Sequence, residues 1–499
     1  MARKARAIDL PALGTLDRTA GALGRQLAQG LREAIRRGDL QPGEPLPSTR
    51  QLAQALQVAR GTVVEAFEQL AAEGFLEAIP GAGTQVAPIA AGKAGIPRTM
   101  PAPADEKPAT GLPSPAAAFA RVAQQFNSLP HVPFAISVPL GATMPGTAWR
   151  RLGNRLRARG QGAPAGYGDP QGARPLREAI SDYVRRSRSV RCDADQVIVT
   201  GGTQQGLYLC CQVLLGVGDR AWVENPAYAG ITSILEHAGR GGAVRVPVDA
   251  EGLDVEAGMR LAPHARAAFV TPSHQYPLGM PLSMTRRNAL LEWARKAGAW
   301  IVEDDYDSEL RYAGHPFPAL QGLDTQRVVY LGTFSKILFP SLRLGYLIAP
   351  PQLVPAFIGA RVLMDRSPPG ADQHVLAAFM AEGHLDRHIR RIRGIYAAHR
   401  QQLMQTLARL LPPALAWLQP SDQGMHLLLW LNEKLDDNEV AWQAAQAGVA
   451  VRPVSPMFAP GSARPGLVLG FGGFSGEQME EAARKLAAAI RALAGRRGY

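Results

Sequence analysis

Beyond residue 190 the chain repeats one pattern, and no other feature limits its fold so strongly. Short runs that are apolar at consecutive positions recur with stretches of helical length between them. They are Val197-Ile198-Val199, Ala221-Trp222-Val223, Ala267-Ala268-Phe269-Val270, Ala299-Trp300-Ile301-Val302, Val328-Val329-Tyr330-Leu331 and Gly345-Tyr346-Leu347-Ile348. A strand with one wet face alternates apolar and polar residues, so runs without alternation are buried on both faces. That predicts a largely parallel sheet covered on each side by helices. From about residue 360 the pattern changes to a long basic helix over 384–402, strand-like 427–431 and 466–471, and a closing helix. This is the composition of a smaller α+β subdomain.

Ligands bind such sheets where strand ends meet helix starts. Three stretches fall there. Thr200-Gly201-Gly202-Thr203-Gln204-Gln205 follows the first run and opens a helix over 207–215. Its amides and the Thr203 hydroxyl suit a phosphate at a helix N-terminus, although a glycine turn is also an ordinary connection. Glu303-Asp304-Asp305-Tyr306-Asp307 closes another strand with acids. A solvated loop or a metal site is the plain reading, and no His or Cys neighbours them in sequence, which counts against metal. The third stretch runs from Gly332 to Tyr346 and holds Lys336 among small hydroxyl residues, with Arg343 downstream. A lysine that loses solvation near another cation is available as the neutral amine that Schiff-base chemistry needs, and an arginine fork suits phosphate oxygens. A surface lysine, with Arg343 paired to a carboxylate, is the plain alternative.

The N-terminal part reads differently. Leu23, Leu27, Leu31 and Ile35 recur at i+4 ahead of Gly38, an amphipathic helix and its stop. Ser48 and Gln51 have the spacing of a capping box for a helix carrying Leu52 and Leu56, and a further helix from about Arg60 presents Val63, Phe67 and Leu70 before Gly74. Residues 75–78 and 84–86 flank Pro80-Gly81-Ala82-Gly83, a hairpin with turn chemistry at its tip. The order is that of a winged helix, whose second paired helix enters the major groove, and periodicity alone fits a small helical interaction module equally well.

At 499 residues, 46% hydrophobic, the chain is long enough for two or more cores. We divide it into a winged-helix domain (1–88), a Pro/Ala-rich linker (89–130) and the sheet domain (131–499). A net charge of +12 suits a polyanion partner, yet residues 1–87 hold ten Lys/Arg against nine Asp/Glu, so +11 of the excess lies downstream. Three cysteines without metal or redox spacing fit a reducing cytoplasm. Neither a secretory signal nor a membrane-length apolar run is present, so a soluble cytoplasmic protein without a membrane partner is expected.

Residues 46–86, LPSTRQLAQALQVARGTVVEAFEQLAAEGFLEAIPGAGTQV, resemble the N-terminal domain of GntR-type bacterial regulators. The resemblance implies that Ser48, Thr49 and Arg50 meet the DNA backbone and a base edge, that Arg60 and Thr62 open the recognition helix, and that Gly83 brings the wing near the minor groove. Ala59 stands where a serine cap is usual, and Ile79-Pro80 lacks the usual basic residue. Most of 131–499 resembles a fold-type I enzyme dependent on pyridoxal 5'-phosphate. That implies a Schiff base at Lys336, Asp304 on the pyridine nitrogen, Tyr306 on the phenolic oxygen and Tyr228 on the ring face. Thr203, Gln204, Thr333, Ser335 and Arg343 would hold the phosphate, and Tyr167 would reach the phosphate of a neighbouring subunit, in a domain-swapped homodimer.

Joined, the two halves resemble the MocR subfamily of GntR regulators. This layout implies a dimer that binds double-stranded promoter DNA and senses pyridoxal phosphate, or an amine or amino-acid effector. A working aminotransferase with an accessory DNA-binding domain is the alternative, and residual half-reactions fit either reading. Two departures matter. Tyr276 fills the place of the asparagine expected before Pro277-Leu278-Gly279, and Val468 that of the carboxylate-binding arginine in the last strand. Arg452 and Arg464 lie near enough in sequence to replace that arginine, or to serve as surface residues.

Overall fold

The computed structural model describes residues 16–18, 21–79, 83–88, 113–125, 130–139, 145–160, 166–237, 241–315 and 317–496, which belong to two compact units dividing at residue 111. In the N-terminal unit the helices Leu23–Arg37, Thr49–Leu56 and Arg60–Ala72 precede an antiparallel hairpin of Leu76–Ile79 and Gly83–Val86. Leu27, Leu31, Leu52, Val63, Phe67 and Leu70 share one core with Leu76 and Val86 of the hairpin. The first helix stops where Gly38 turns left-handed at φ 80°. Ser48 forms the expected capping box: its hydroxyl accepts from the Gln51 amide and the Gln51 side chain accepts from the Ser48 amide. Across the unit Arg32 donates from Nε and Nη2 to the Glu73 carboxylate at 2.9 and 2.8 Å, tying the first helix to the end of the third.

The expected wing tip at 80–82 and most of the expected linker, 89–112, lie outside the described residues. Within the described part of that linker Ser114–Gln125 is a helix. Proline in a first helical turn costs nothing, and the alanines that follow favour helix over coil.

In the C-terminal unit an eight-stranded sheet runs in the order Val197–Thr200, Gly345–Ile348, Val328–Thr333, Trp300–Asp305, Ala267–Val270, Asp219–Asn225, Gly241–Asp249 and Gly252–Leu253. Its five central and right-hand strands from Val328–Thr333 to Gly241–Asp249 are parallel, while Gly345–Ile348 is antiparallel to both neighbours. Alternate residues of each run bury in opposite directions. Val302, Val329 and Leu331 pack under the helices Thr203–Leu214 and Ala229–His237, and Ile301 and Val328 pack under Met284–Ala297. Gly241–Asp249 has no counterpart among the predicted runs, since its burial alternates and it carries polar residues.

A second, four-stranded antiparallel sheet holds Ala416–Leu418, His426–Leu431, Gly466–Gly470 and Arg452–Pro453, in that order. The helices His384–Leu410, Asp437–Gln446 and Gly476–Arg496 accompany it. No helix among the described residues is long and apolar enough to cross a membrane.

Candidate functional site

The glycine turn after Val197–Thr200 adopts a conformation that side chains resist, with Gly202 at φ 103° leading into the helix Thr203–Leu214. A Cβ on Gly202 would stand 3.5 Å from the Arg343 guanidinium, and one on Gly345 would stand 2.8 Å from the Gly202 backbone. The turn is therefore glycine because an arginine and a strand close on it. Tyr228 donates its hydroxyl to Gln204 at 3.1 Å, and a Cβ on Gly230 would lie 2.2 Å from the Tyr228 ring. Burial pushes the Tyr228 phenol up to about 12, so it stays a donor. Thr333 accepts from the Ser335 amide at 3.2 Å, and both residues are buried. Helix-start amides, hydroxyls and an exposed guanidinium together make an oxyanion cradle.

The acids of 303–307 are sorted by the pleat. Glu303 accepts from the Leu320 and Gln321 amides, each at 3.1 Å, and Asp305 accepts from Arg188 at 2.7 Å and Tyr330 at 2.6 Å. Asp304, pointing the other way along the strand, has a buried Oδ1 with no hydrogen-bond partner among the described residues. Burial, then the neighbouring Asp305, raises its pKa to about 7, against the pull of Lys336. A buried carboxyl oxygen left without a donor is costly. A protonated ring nitrogen is the donor such an oxygen would accept.

Lys336 is half-buried and makes no hydrogen bond or ion pair with any described residue. Burial lowers its pKa to about 8, with Arg452 and Arg343 adding to the effect and Asp307 and Asp304 opposing it. An amine in that range is partly neutral near physiological pH and can attack a carbonyl.

Tyr306 donates its hydroxyl to the His274 carbonyl at 3.0 Å, within 3.2 Å of His274 Nδ1. The same ring nitrogen lies 2.9 Å from the Asp307 carboxylate, and the His426 ring centroid is 4.9 Å from that of His274. This corrects the expectation that no histidine accompanies these acids. His274 comes from the loop after Ala267–Val270 and His426 from the small sheet, so the cluster of buried His274, Asp307 and His426 has no signature of spacing.

Other expected residues are placed unevenly. Gln275, which the sequence did not single out, is buried beside Tyr276 and donates to Glu224 at 3.2 Å and to the Pro226 carbonyl at 2.9 Å. Tyr276 meets Tyr228, Tyr306 and His426 edge-on, with centroids 6.0, 6.2 and 5.4 Å away. Arg452 is the Cα partner of Val468 and reaches the Tyr276 hydroxyl at 3.5 Å. Arg464 lies instead over Trp430 and Trp417, 4.2 and 5.3 Å from their centroids. Tyr167 is 80% exposed, capped by the Arg366 guanidinium 4.0 Å from its ring.

On the N-terminal unit Ser48, Arg50 and Arg60 are exposed and Thr62 is half-buried. Arg60 Nε reaches Thr49 Oγ1 at 3.5 Å, so the starts of the second and third helices adjoin. Ala59 offers no side-chain cap to the third helix. Gly83 begins the second wing strand, exposed, at φ 94°.

Comparison with known proteins agrees with this division. Residues 131–486 match the family "Aminotransferase class I and II", and residues 23–86 match "Bacterial regulatory proteins, gntR family". The probable rhizopine catabolism regulatory protein MocR of Rhizobium meliloti is 38% identical over 484 residues, 96% of each chain. The pyridoxine biosynthesis transcriptional regulator PdxR of Corynebacterium glutamicum is 34% identical over 448 residues, 90% of this chain and 91% of its own. Among solved structures, the α-aminoadipate aminotransferase LysN of Thermus thermophilus, complexed with N-(5'-phosphopyridoxyl)-L-leucine, superposes with a TM-score of 0.69 at 26% identity, covering 76% of this chain and 99% of its own.

Proposed function

Because the chain belongs to the MocR subfamily of GntR transcriptional regulators, we propose that it is a DNA-binding regulator whose sheet unit holds pyridoxal 5'-phosphate at Lys336. The observation that carries this reading is the unpartnered Asp304 oxygen alongside a lysine that has no ion pair among the described residues. The cofactor fits both. Asp304 would accept from its ring nitrogen, Lys336 would hold its aldehyde carbon, and Tyr228 would cover the ring. Thr203, Gln204, Thr333, Ser335 and Arg343 hold the phosphate, and Tyr306, oriented by His274, meets the phenolic oxygen. When bound, the cofactor supplies an aldehyde that captures amines and a ring that withdraws electrons.

The exposed Tyr167 suits a homodimer in which each copy reaches the cofactor of the other. Ser48, Thr49 and Arg50 meet the DNA backbone and a base edge, Arg60 and Thr62 open the recognition helix, and Gly83 lets the wing approach the minor groove. The effector is pyridoxal phosphate itself, or an amine or amino acid that would compete with Lys336 for its aldehyde. Near-neutral charge in residues 1–87 predicts modest non-specific DNA affinity.

The test combines absorbance with footprinting on promoter DNA. Adding pyridoxal phosphate to the purified protein should produce a visible band that Lys336→Ala lacks, and an amine effector should change both the band and the footprint. A protein that gains no band, or keeps it without Lys336, overturns the cofactor assignment. Sustained multiple-turnover transamination across a panel of amino donors would make it an enzyme instead.

A further inference from the structure

We propose that His274 and Asp307 are positioning residues for Tyr306: the buried pair keeps a proton on the ring nitrogen nearest the phenol, so that the phenol's own proton stays free for the cofactor's phenolic oxygen. This rests on reading Tyr306 as the residue that meets that oxygen. Among the described residues both hydrogen-bond partners of the Tyr306 hydroxyl belong to His274, the carbonyl at 3.0 Å and Nδ1 at 3.2 Å. A hydroxyl has one proton to give. Where it goes depends on the state of Nδ1, because a bare imidazole nitrogen would accept it and keep it on the protein.

Asp307 decides that state. Its two carboxylate oxygens stand 2.9 and 3.1 Å from Nδ1. An ionised carboxylate only accepts, so Nδ1 carries the proton of the pair, and the ring can donate to the phenol oxygen but not take its proton. A phenol whose oxygen accepts such a bond is itself a stronger donor. The acceptor left to it on the protein is the neutral His274 carbonyl, which a charged phenolic oxygen outcompetes. Burial, then Asp307, followed by Tyr276, Asp304 and Glu224, raises the Tyr306 phenol well above its usual range, so it keeps the proton it has to offer.

The pair is held in place from the small sheet's side. His274 and Asp307 are buried, and a Cβ on Gly424, which sits at φ 81°, would collide with His274 Cε1 and stand 2.8 Å from Asp307 Oδ2. The far ring nitrogen, Nε2, meets Ser421 Oγ at 3.4 Å. His426, the other ring of the cluster, adds no charge. Burial, then His274, brings it down to about 3, with Lys336 acting in the same direction, and its Nε2 donates to the Pro277 carbonyl at 3.3 Å.

The experiment titrates the visible band of cofactor-loaded protein with pH. The band changes where the Lys336 nitrogen loses to solvent the proton it shares with the phenolic oxygen. The oxygen then bears the full negative charge, the form that a phenol donor stabilises, so losing the donor moves the midpoint to higher pH. His274→Phe keeps a ring but has no N–H. It should raise the midpoint by about one pH unit more in the protein with Tyr306 than in a Tyr306→Phe protein, the worth of one hydrogen bond. The Tyr306→Phe comparison subtracts the altered charge beside Lys336, which acts in both. His274→Asn puts an amide N–H near the place of Nδ1 and should restore part of the difference. Asp307→Asn lets Nδ1 give up its proton, so it should show a difference of the same sign, and it carries the test if His274→Phe loses the band. A midpoint moved equally with and without the Tyr306 hydroxyl, or not moved at all, overturns the inference. Absence of the band from the unaltered protein sinks the function proposed above, and this inference with it.

Discussion

The two units carry their chemistry in opposite ways. In the N-terminal unit the residues assigned to DNA lie between positions 48 and 83, and Ser48, Arg50 and Arg60 are exposed, at or near helix starts. In the sheet unit the assigned residues come from positions 167 to 452, on different strands and loops, and most are half-buried or buried. The difference teaches that a surface reader of a large ligand can be built from local sequence, whereas a site for a small cofactor has to be assembled. Burial has an electrostatic consequence that exposure lacks. It brings Lys336 to about 8 and Asp304 to about 7, while Arg50 and Arg60 stand exposed to solvent.

Four measurements would break or sharpen this contrast. The largest effect is expected from Asp304→Ala, which removes a buried charge-assisted partner. Cofactor affinity should fall about 30- to 100-fold, read by the visible band, with promoter binding by the cofactor-free protein unchanged. Arg60→Ala should weaken promoter binding by about 1–3 kcal/mol if it reads a base, whereas loss of a phosphate contact would lower the salt slope by about 1. Gel-shift titrations at several salt concentrations separate these outcomes, and cofactor binding should not respond. Ser48→Ala removes the capping box and should destabilise the N-terminal unit by about 1 kcal/mol in denaturant unfolding, leaving the sheet unit's transition in place. The last effect is one of pH. Because Lys336 reacts as the neutral amine and its pKa is depressed to about 8, attachment of the cofactor should quicken as pH rises to about 8 and then level off. An unperturbed lysine would keep accelerating to about pH 10.4. Arg452→Gln deletes a cation that holds this value down, so the midpoint should move to higher pH.

How much of this was legible depended on the range of the interactions. The Ser48–Gln51 box and the Gly38 stop are contacts within a turn of chain, so their spacing announces them. The apolar runs of the sheet were equally plain, since burial on both faces erases alternation. The strand Gly241–Asp249 escaped because it keeps an alternating pattern, and the helix Ser114–Gln125 because its proline and alanines resembled linker. Lys336 and the glycine turn stood out as residue types at strand ends. That Asp304, alone of these strand-end acids, has no hydrogen-bond partner for its carboxyl among the described residues did not, because Glu303, Asp305 and Asp307 look the same in one dimension.

By itself the sequence determined that a short-range helical unit precedes a large, doubly covered sheet, and which lysine could do amine chemistry. Those properties follow from periodicity, capping and residue type, all local. Only the tertiary structure decided which charges meet. It set His274 and His426 against Asp307, sent Arg464 onto two tryptophans, and stood Arg452 opposite Val468. The physical reason is that strand register and loop closure, not distance along the chain, decide which side chains share a low-dielectric pocket, and coupling between charges is strongest there.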